Sequence, residues 1–334
     1  MLLDDLKQQR ASKWRTDGTN PVRTLEDARA FIEAVGFCLI YPTRPAVVAP
    51  TFIGAVLGTE TDLPIASKAA IDARTQLATE LVLRLLNEKY AFEVPFGDSG
   101  SLLVSAAEFP YFYALLGERN PKSAPSRGVH GEKTLASHTF KLLAKRPMSE
   151  QEMLDEHGQG ISEAALARAL HELWSKLRIA RIGLLERAES PTWDLLYRIA
   201  AQPVGRGAHL SQAEALSALI SKYLETVIAA EPREVEEFFG RITARSKANE
   251  IVKALTGARE FESRPVGHTA MIRLVPREKE KPSELGDVQQ RSLSGERRTR
   301  TDVGRKMVMR HDRRNPPRED RRHDQPRRER KPRR

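Results

Sequence analysis

A chain of 334 residues, 40% hydrophobic and 30% charged, exceeds what one small core usually organises, and two or three small domains are expected. No stretch approaches the roughly 18 apolar residues of a membrane span, and the start, MLLDDLKQQRASKW, has acidic residues where a signal peptide needs a basic flank and an apolar centre; a cytoplasmic protein with no membrane partner is expected. The single cysteine, Cys38, excludes disulfides within the chain and any cysteine-based zinc site, and its apolar setting, FCLIYP, reads as a buried thiol.

In chain order, residues 1–23 read as a flexible head. The segment TLEDARAFIEAVGF opens with a capping box, Thr24 and Asp27, and sets Leu25, Ala28, Phe31, Ile32 and Val35 at helical spacing. After Gly36 the β-rich run FCLIYPTRPAVVAP is broken by Pro42 and Pro45, and a short helix follows between Pro50 and Gly58. A longer helix is expected to fill residues 65–87. KYAFEVPFGDSGSLLVSA then gives two β-type runs about Gly97-Asp98-Ser99-Gly100, a hairpin. EFPYFYALLG closes an N-terminal helical unit over 24–119, and NPKSAPSRG, residues 120–128, is a linker by composition.

The next unit, 129–200, reads as a winged helix. KTLASHTFKLLAKR is its first helix, SEQEMLDEHG its second with Ser149 and Glu152 as a capping box, and a third runs from the N-cap Ser162 to about Leu177. RIARIGLLER and WDLLYRIA follow as strand-like runs. In the third helix Ala165, Leu166, Ala169, Leu170, Leu173 and Leu177 form an apolar stripe, so Ser162, Arg168, His171 and Lys176 face outward, toward what would be a major groove. Arg181 and Arg187 on the following run join this candidate set, while Trp174 and Trp193 read as packing against each other. After VGRGAH, residues 204–209, a connector by its two glycines, the same order recurs over 207–276. SQAEALSALISKYLETVIA, PREVEEFFG and TARSKANEIVKALTG are three helices, and EFESRPVGHTAMIRLVP is a hairpin. Here Arg245, Ser246, Lys247, Asn249 and Lys253 on the third helix and Arg264 on the hairpin are the candidate DNA contacts. The expected fold is therefore mainly α with small β-hairpins, an α+β chain of tandem winged helix-turn-helix units followed by a basic tail.

The net charge of +10 resides wholly in that tail. From Arg277 to the end there are 21 Lys+Arg against 11 Asp+Glu, leaving 34 of each sign before it. Without Phe, Trp or Tyr, residues 277–334 cannot bury enough apolar surface to offset chain entropy, and disorder is expected. Its arginines suit a polyanion without sequence choice, and the missing aromatics argue against base stacking. Duplex DNA, touched mainly at the backbone, is the expected partner, with RNA as the alternative; no cofactor and no metal site are expected, because His130/His138 and His157/His171 lack the i, i+4 spacing of helical metal ligands.

The order of elements resembles the bacterial winged-helix proteins related to the DNA glycosylases that unhook interstrand crosslinks. The matching stretches are FIEAVGFCLIYP, FPYFYALLG, ALHELWSKLRIARIG and SQAEALSALISKYLETVIAAEPREVEEFFG, over roughly residues 24–276. The resemblance implies tandem winged helices and a role in DNA repair. The family's enzymes use a Gln-x-Gln motif to position the attacking water, and no Gln-x-Gln occurs in this sequence; Gln8-Gln9 and Gln289-Gln290 lie in the head and the tail. Asp98, Glu108 and Asp155 are the carboxylates a glycosylase would otherwise draw on, each with a plain alternative as turn, cap or solvated residue. Three readings follow: a DNA-binding protein of repair or transcriptional control, a DNA glycosylase with a non-standard catalytic residue, and a protein- or RNA-binding winged-helix module.

Overall fold

The N-terminal third alternates short helices with one small sheet. The computed structural model describes residues 2–69, 71–97, 100–125, 134–158, 160–182 and 192–276. Helix α1 (Leu3–Lys13) carries Asp4 and Asp5 in its first turn and Arg10 and Lys13 in its last, each sign matched to the helix dipole. Helix α2 (Leu25–Val35) starts at the expected Thr24–Asp27 capping box and buries Leu25, Ala28, Phe31, Ile32 and Val35. Strand β1 (Phe37–Leu39) and the short helix α3 (Phe52–Leu57) follow. The single long helix expected over 65–87 is instead two, α4 (Ala66–Ala69) and α5 (Gln76–Asn87). Between them Asp72 accepts from the Arg74 amide and Thr75 Oγ1 donates to the Ala69 and Asp72 carbonyls, a side-chain turn that competes with helix continuation. Strands β2 (Ala91–Phe96) and β3 (Gly100–Ser105) pair antiparallel as the expected hairpin, and β1 joins the other edge of β3. Asp98 and Ser99, at the turn, lie outside the described residues. Helix α6 (Phe109–Leu116) closes this part.

The middle segment has winged-helix order. Helix α7 (Leu135–Lys145), strand β4 (Met148–Ser149), helix α8 (Glu150–His157), helix α9 (Glu163–Ser175) and strands β5 (Ile179–Ile182) and β6 (Thr192–Leu195) follow in sequence, with a three-stranded sheet ordered β4-β6-β5. Leu166, Ala169, Leu170 and Leu173 of α9 are buried as their spacing requires. They join Phe140, Leu143, Met153, Ile179, Trp193 and Leu195 in a core belonging to this unit alone. WDLLYRIA is strand only through Leu195; Leu196–Ile199 turns into a short helix, α10. The supposed connector VGRGAH is part of a helix, α11 (Ala201–His209). Its glycine permits close packing rather than flexibility: a Cβ on Gly207 would come within 2.5 Å of the Pro110 carbonyl and 2.8 Å of Tyr113 Cβ on α6.

The same order returns with helices α12 (Gln212–Val227), α13 (Pro232–Phe239) and α14 (Arg245–Gly257) and the antiparallel pair β7 (Phe261–Val266) and β8 (Thr269–Leu274). A bridge from Ala230 to Ile272 stands where β4 stands in the first copy. This second copy has no core to itself. Phe238 packs against Phe96 and Phe37 of the N-terminal sheet and against Tyr223 of α12, ring centroids 4.8 to 5.7 Å apart, inside one cluster that also takes in α6, α11 and α14. Met1–Arg277 accordingly form one compact unit.

Residues 1–23 are not the flexible head that their polarity suggests. The end of α12 has Ile228 at φ 71, a β-branched residue where a helix normally ends on glycine, and the carbonyls exposed there are met from α1 and its end. Trp14 Nε1 donates to Thr226 O at 3.0 Å, Arg10 Nε to Val227 O at 2.9 Å and Arg10 Nη2 to Ala229 O, while Leu6 is buried against Ala229, Val266 and Met271. Hydrogen-bond donors on α1 and at Trp14, rather than an apolar stripe, dock the head, which is why periodicity gave no sign of it.

Candidate nucleic-acid interface

Two outward helices carry the candidate contacts. On α9, Ser162 caps the first turn by accepting from the Ala165 amide, and Arg168 and His171 are exposed. Lys176, just beyond the helix, is also exposed, and its 3.3 Å pair with Glu172 is the solvated kind that contributes little. On α14, Arg245, Ser246, Lys247 and Lys253 are exposed. Lys247 reaches Gln212 Oε1 at 3.0 Å, whereas Asn249 is half-buried and donates to Glu236 Oε1 at 2.6 Å, so it ties α14 to α13 and faces no groove. The helices α7, α8, α9 and α12 each have a Ser or Thr accepting from a first-turn amide, but Ala244 gives α14 no such cap. Its first-turn amides sit beside Arg245 and Lys247, an arrangement that suits a phosphate oxygen. On the hairpin, Arg264 and Arg273 share Glu262 at 3.1 and 2.6 Å; hydrogen bonds from Arg273 and then Arg264 hold that carboxyl below the usual range, and the pair keeps a net positive charge.

Arg181 is a different kind of residue from the one its position on the strand suggests. Its Nη2 donates to both oxygens of Glu93 on β2, at 2.8 and 2.9 Å. Its guanidinium also lies 5.8 Å from the Trp174 ring and 5.7 Å from that of Trp193. The two tryptophans therefore flank an arginine, and the cation fastens the first winged unit to the N-terminal sheet. Arg187 lies outside the described residues.

Of the carboxylates singled out, Asp155 is exposed and accepts from Gln151, as a solvated helix residue would. Glu108 is part-buried against Gly36 and Lys222; burial raises its pKa, opposed by the Lys222 charge. Two histidines from different helices meet: His138 Nδ1 and His157 Nδ1 are 2.9 Å apart, and His157 Nε2 meets Thr139 Oγ1 at 3.1 Å. One ring must donate and the other accept, so the contact does not survive protonation of both. Burial, then the His138 charge, lowers the His157 pKa from its ordinary 6.5. A histidine with a depressed folded value stabilises the fold above its unfolded pKa and loses that contribution as pH falls through the ordinary value and on to the lowered one. Thermal melting at pH 7.5 and 5.5 should show a larger drop for the wild type than for His157→Gln. The difference isolates the histidine, because Glu108 and Glu234, both raised by burial, push stability the opposite way.

Residues 53–295 match the family model described as DNA glycosylase AlkZ-like, nearly three quarters of the chain. The chain belongs to this AlkZ-like DNA glycosylase family. Its fold is similar to that of the Streptomyces sahachiroi DNA glycosylase AlkZ, with a TM-score of 0.55 and 12% identity over 82% of this chain and 70% of that one. No curated protein sequence matches it. Three of the four stretches that carried the resemblance fall inside the AlkZ-like match; FIEAVGFCLIYP precedes it. Among the described residues no helix is long and apolar enough to cross a membrane.

Proposed function

We propose that this AlkZ-like chain is a DNA-binding protein of DNA repair that holds duplex mainly by its backbone, through the outward faces of α9 and α14. The observation that carries this reading is the recurrence of the winged-helix order, each copy exposing basic residues on its third helix, in a chain of a DNA glycosylase family. Glu163 and Glu172 on α9 and Glu250 on α14 interrupt the positive faces, so position is read more than sequence.

Salt dependence tests it. Each phosphate contact removed should lower the slope of log affinity against log salt by about one, so Lys247→Ala and Arg168→Ala should each flatten the slope by that amount. Deleting residues 277–334 should flatten it further while leaving binding by the winged units. Equal affinity at low and high salt would overturn the reading. RNA bound more tightly than duplex DNA of matched length would favour the RNA alternative instead.

Family membership favours glycosylase activity as a second reading, without the Gln-x-Gln motif, which the sequence lacks. Incubation with alkylated or crosslinked DNA at stoichiometric protein, followed by cleavage at abasic sites, decides it: strand breaks above the protein-free control support catalysis, and none removes it.

A further inference from the structure

The histidine pairs read along the sequence lack metal-ligand spacing, but the fold brings one member of each together. His138 on α7 and His157 at the end of α8 set their Nδ1 atoms 2.9 Å apart, with the rings inclined at 64° and their centroids 4.7 Å apart. Nitrogen thus faces nitrogen, rather than ring face lying on ring face. The second nitrogen of His157 is engaged as well, Nε2 lying 3.1 Å from Oγ1 of the wholly buried Thr139. With Nε2–H donating to that oxygen, Nδ1 is left as a bare lone pair in a fixed direction, which is how the group behind a metal-binding histidine orients it. Burial, then the His138 charge, lowers the His157 pKa from its ordinary 6.5, so the ring is neutral at neutral pH. His138 is exposed, and its neutral ring frees Nδ1 by carrying the proton on Nε2. Two donors 2.9 Å apart, each bound at the roughly 2.0–2.1 Å usual for imidazole, subtend about 90° at a common ion, the angle between neighbouring corners of a square or an octahedron.

We propose that His138 and His157 bind one late first-row divalent transition ion through their Nδ1 atoms, with water in the remaining positions. The ion takes the place of the proton that the two rings otherwise share. Imidazole nitrogen suits these ions where magnesium and calcium want oxygen, and a right angle between the nitrogens favours the tetragonal geometry of Cu2+ or Ni2+ over tetrahedral Zn2+. Among the described residues no third His, Cys, Asp or Glu completes a three-ligand group, so the protein gives two ligands and solvent the rest. The ion joins α7 to α8. Phe140 and Leu143 of α7 and Met153 of α8 share a core with Leu166, Leu170 and Leu173 of α9, so binding braces the support beneath the third helix, whatever that helix touches.

The test is titration of the full chain with Cu2+ at neutral pH, read by electron paramagnetic resonance. One equivalent should bind tightly, with nitrogen splitting from two imidazoles. His138→Gln and His157→Gln should each weaken that binding by at least about tenfold, whereas His171→Gln, at an exposed histidine of α9, should leave it unchanged. Thr139→Val removes the hydroxyl behind His157 at similar volume, and it should lower the affinity while both nitrogens stay in the spectrum. Free Cu2+ at about ten times its dissociation constant should raise Tm by about 2–4 °C and slow amide exchange in α7 and α8 together. Mg2+ at the same concentration should do neither. A spectrum with a single imidazole nitrogen, or binding of unchanged strength in either His138→Gln or His157→Gln, would overturn the site.

Discussion

Phe238→Ala should destabilise the protein by about 3–5 kcal/mol, the range for truncating a fully buried aromatic whose surroundings do not collapse. The ring is wholly buried and touches aromatic partners on several sides: Phe37, Phe96, Tyr223 and Phe239, with centroids 4.8 to 5.7 Å away. Tilted aromatic pairs add to the loss from area alone. Phe37 and Phe96 are on the N-terminal sheet, and Tyr223 and Phe239 on the second winged unit, so urea denaturation should shift both in one transition. Phe140→Ala, in the separate core of the first winged unit, should loosen hydrogen exchange protection chiefly in α7 and α9. If Phe238→Ala left β3 as protected as in the wild type, the shared core would not be the cooperative element described here.

That division explains what the sequence could and could not reveal. Helices α2, α7, α8, α9 and α12 were legible because capping residues and apolar spacing agree, and of the stripe of α9 every residue but the half-buried Ala165 is buried. Residues exposed by that reasoning, Arg168, His171, Lys176, Arg245 and Lys253, are exposed. Elements whose place depends on distant partners were not legible. The chemistry docking α1 is a set of carbonyls more than 200 residues away, and nothing within residues 1–23 reports them. Glycine in α11 read as flexibility because sequence alone cannot separate conformational freedom from a close approach, here to Pro110 and Tyr113. Asn249 and Arg181 have the residue types of DNA contacts, but their carboxylate partners, Glu236 and Glu93, lie 13 and 88 positions away. A pattern-based reading gives such polar residues to solvent by default.

Arg181 gives the sharpest separation between those two roles. Removing it leaves Glu93, with a side chain 14% exposed, unpaired against the first winged unit, and a stranded carboxylate of this kind costs about 2–3 kcal/mol, less than a fully buried ion because the arginine itself is one-third exposed. Arg181→Ala should therefore lower the urea midpoint, and Arg181→Ala with Glu93→Gln should recover part of the loss, a coupling of about 1–2 kcal/mol in a double-mutant cycle. Loss of the flanking contacts with Trp174 and Trp193 would persist in the double variant, since the cation is gone from both rings. The DNA readout distinguishes the alternatives. A phosphate contact at Arg181 would show as a salt slope lower by about one. An interdomain clamp would weaken binding with the slope unchanged, because α9 would keep every one of its own cations and lose only its fixed angle to the rest of the body. Glu93→Gln carries the argument further, as it removes negative charge and on simple electrostatics should strengthen DNA binding. Weaker binding in that variant, at an unchanged slope, is the result expected if the ion pair positions the winged unit.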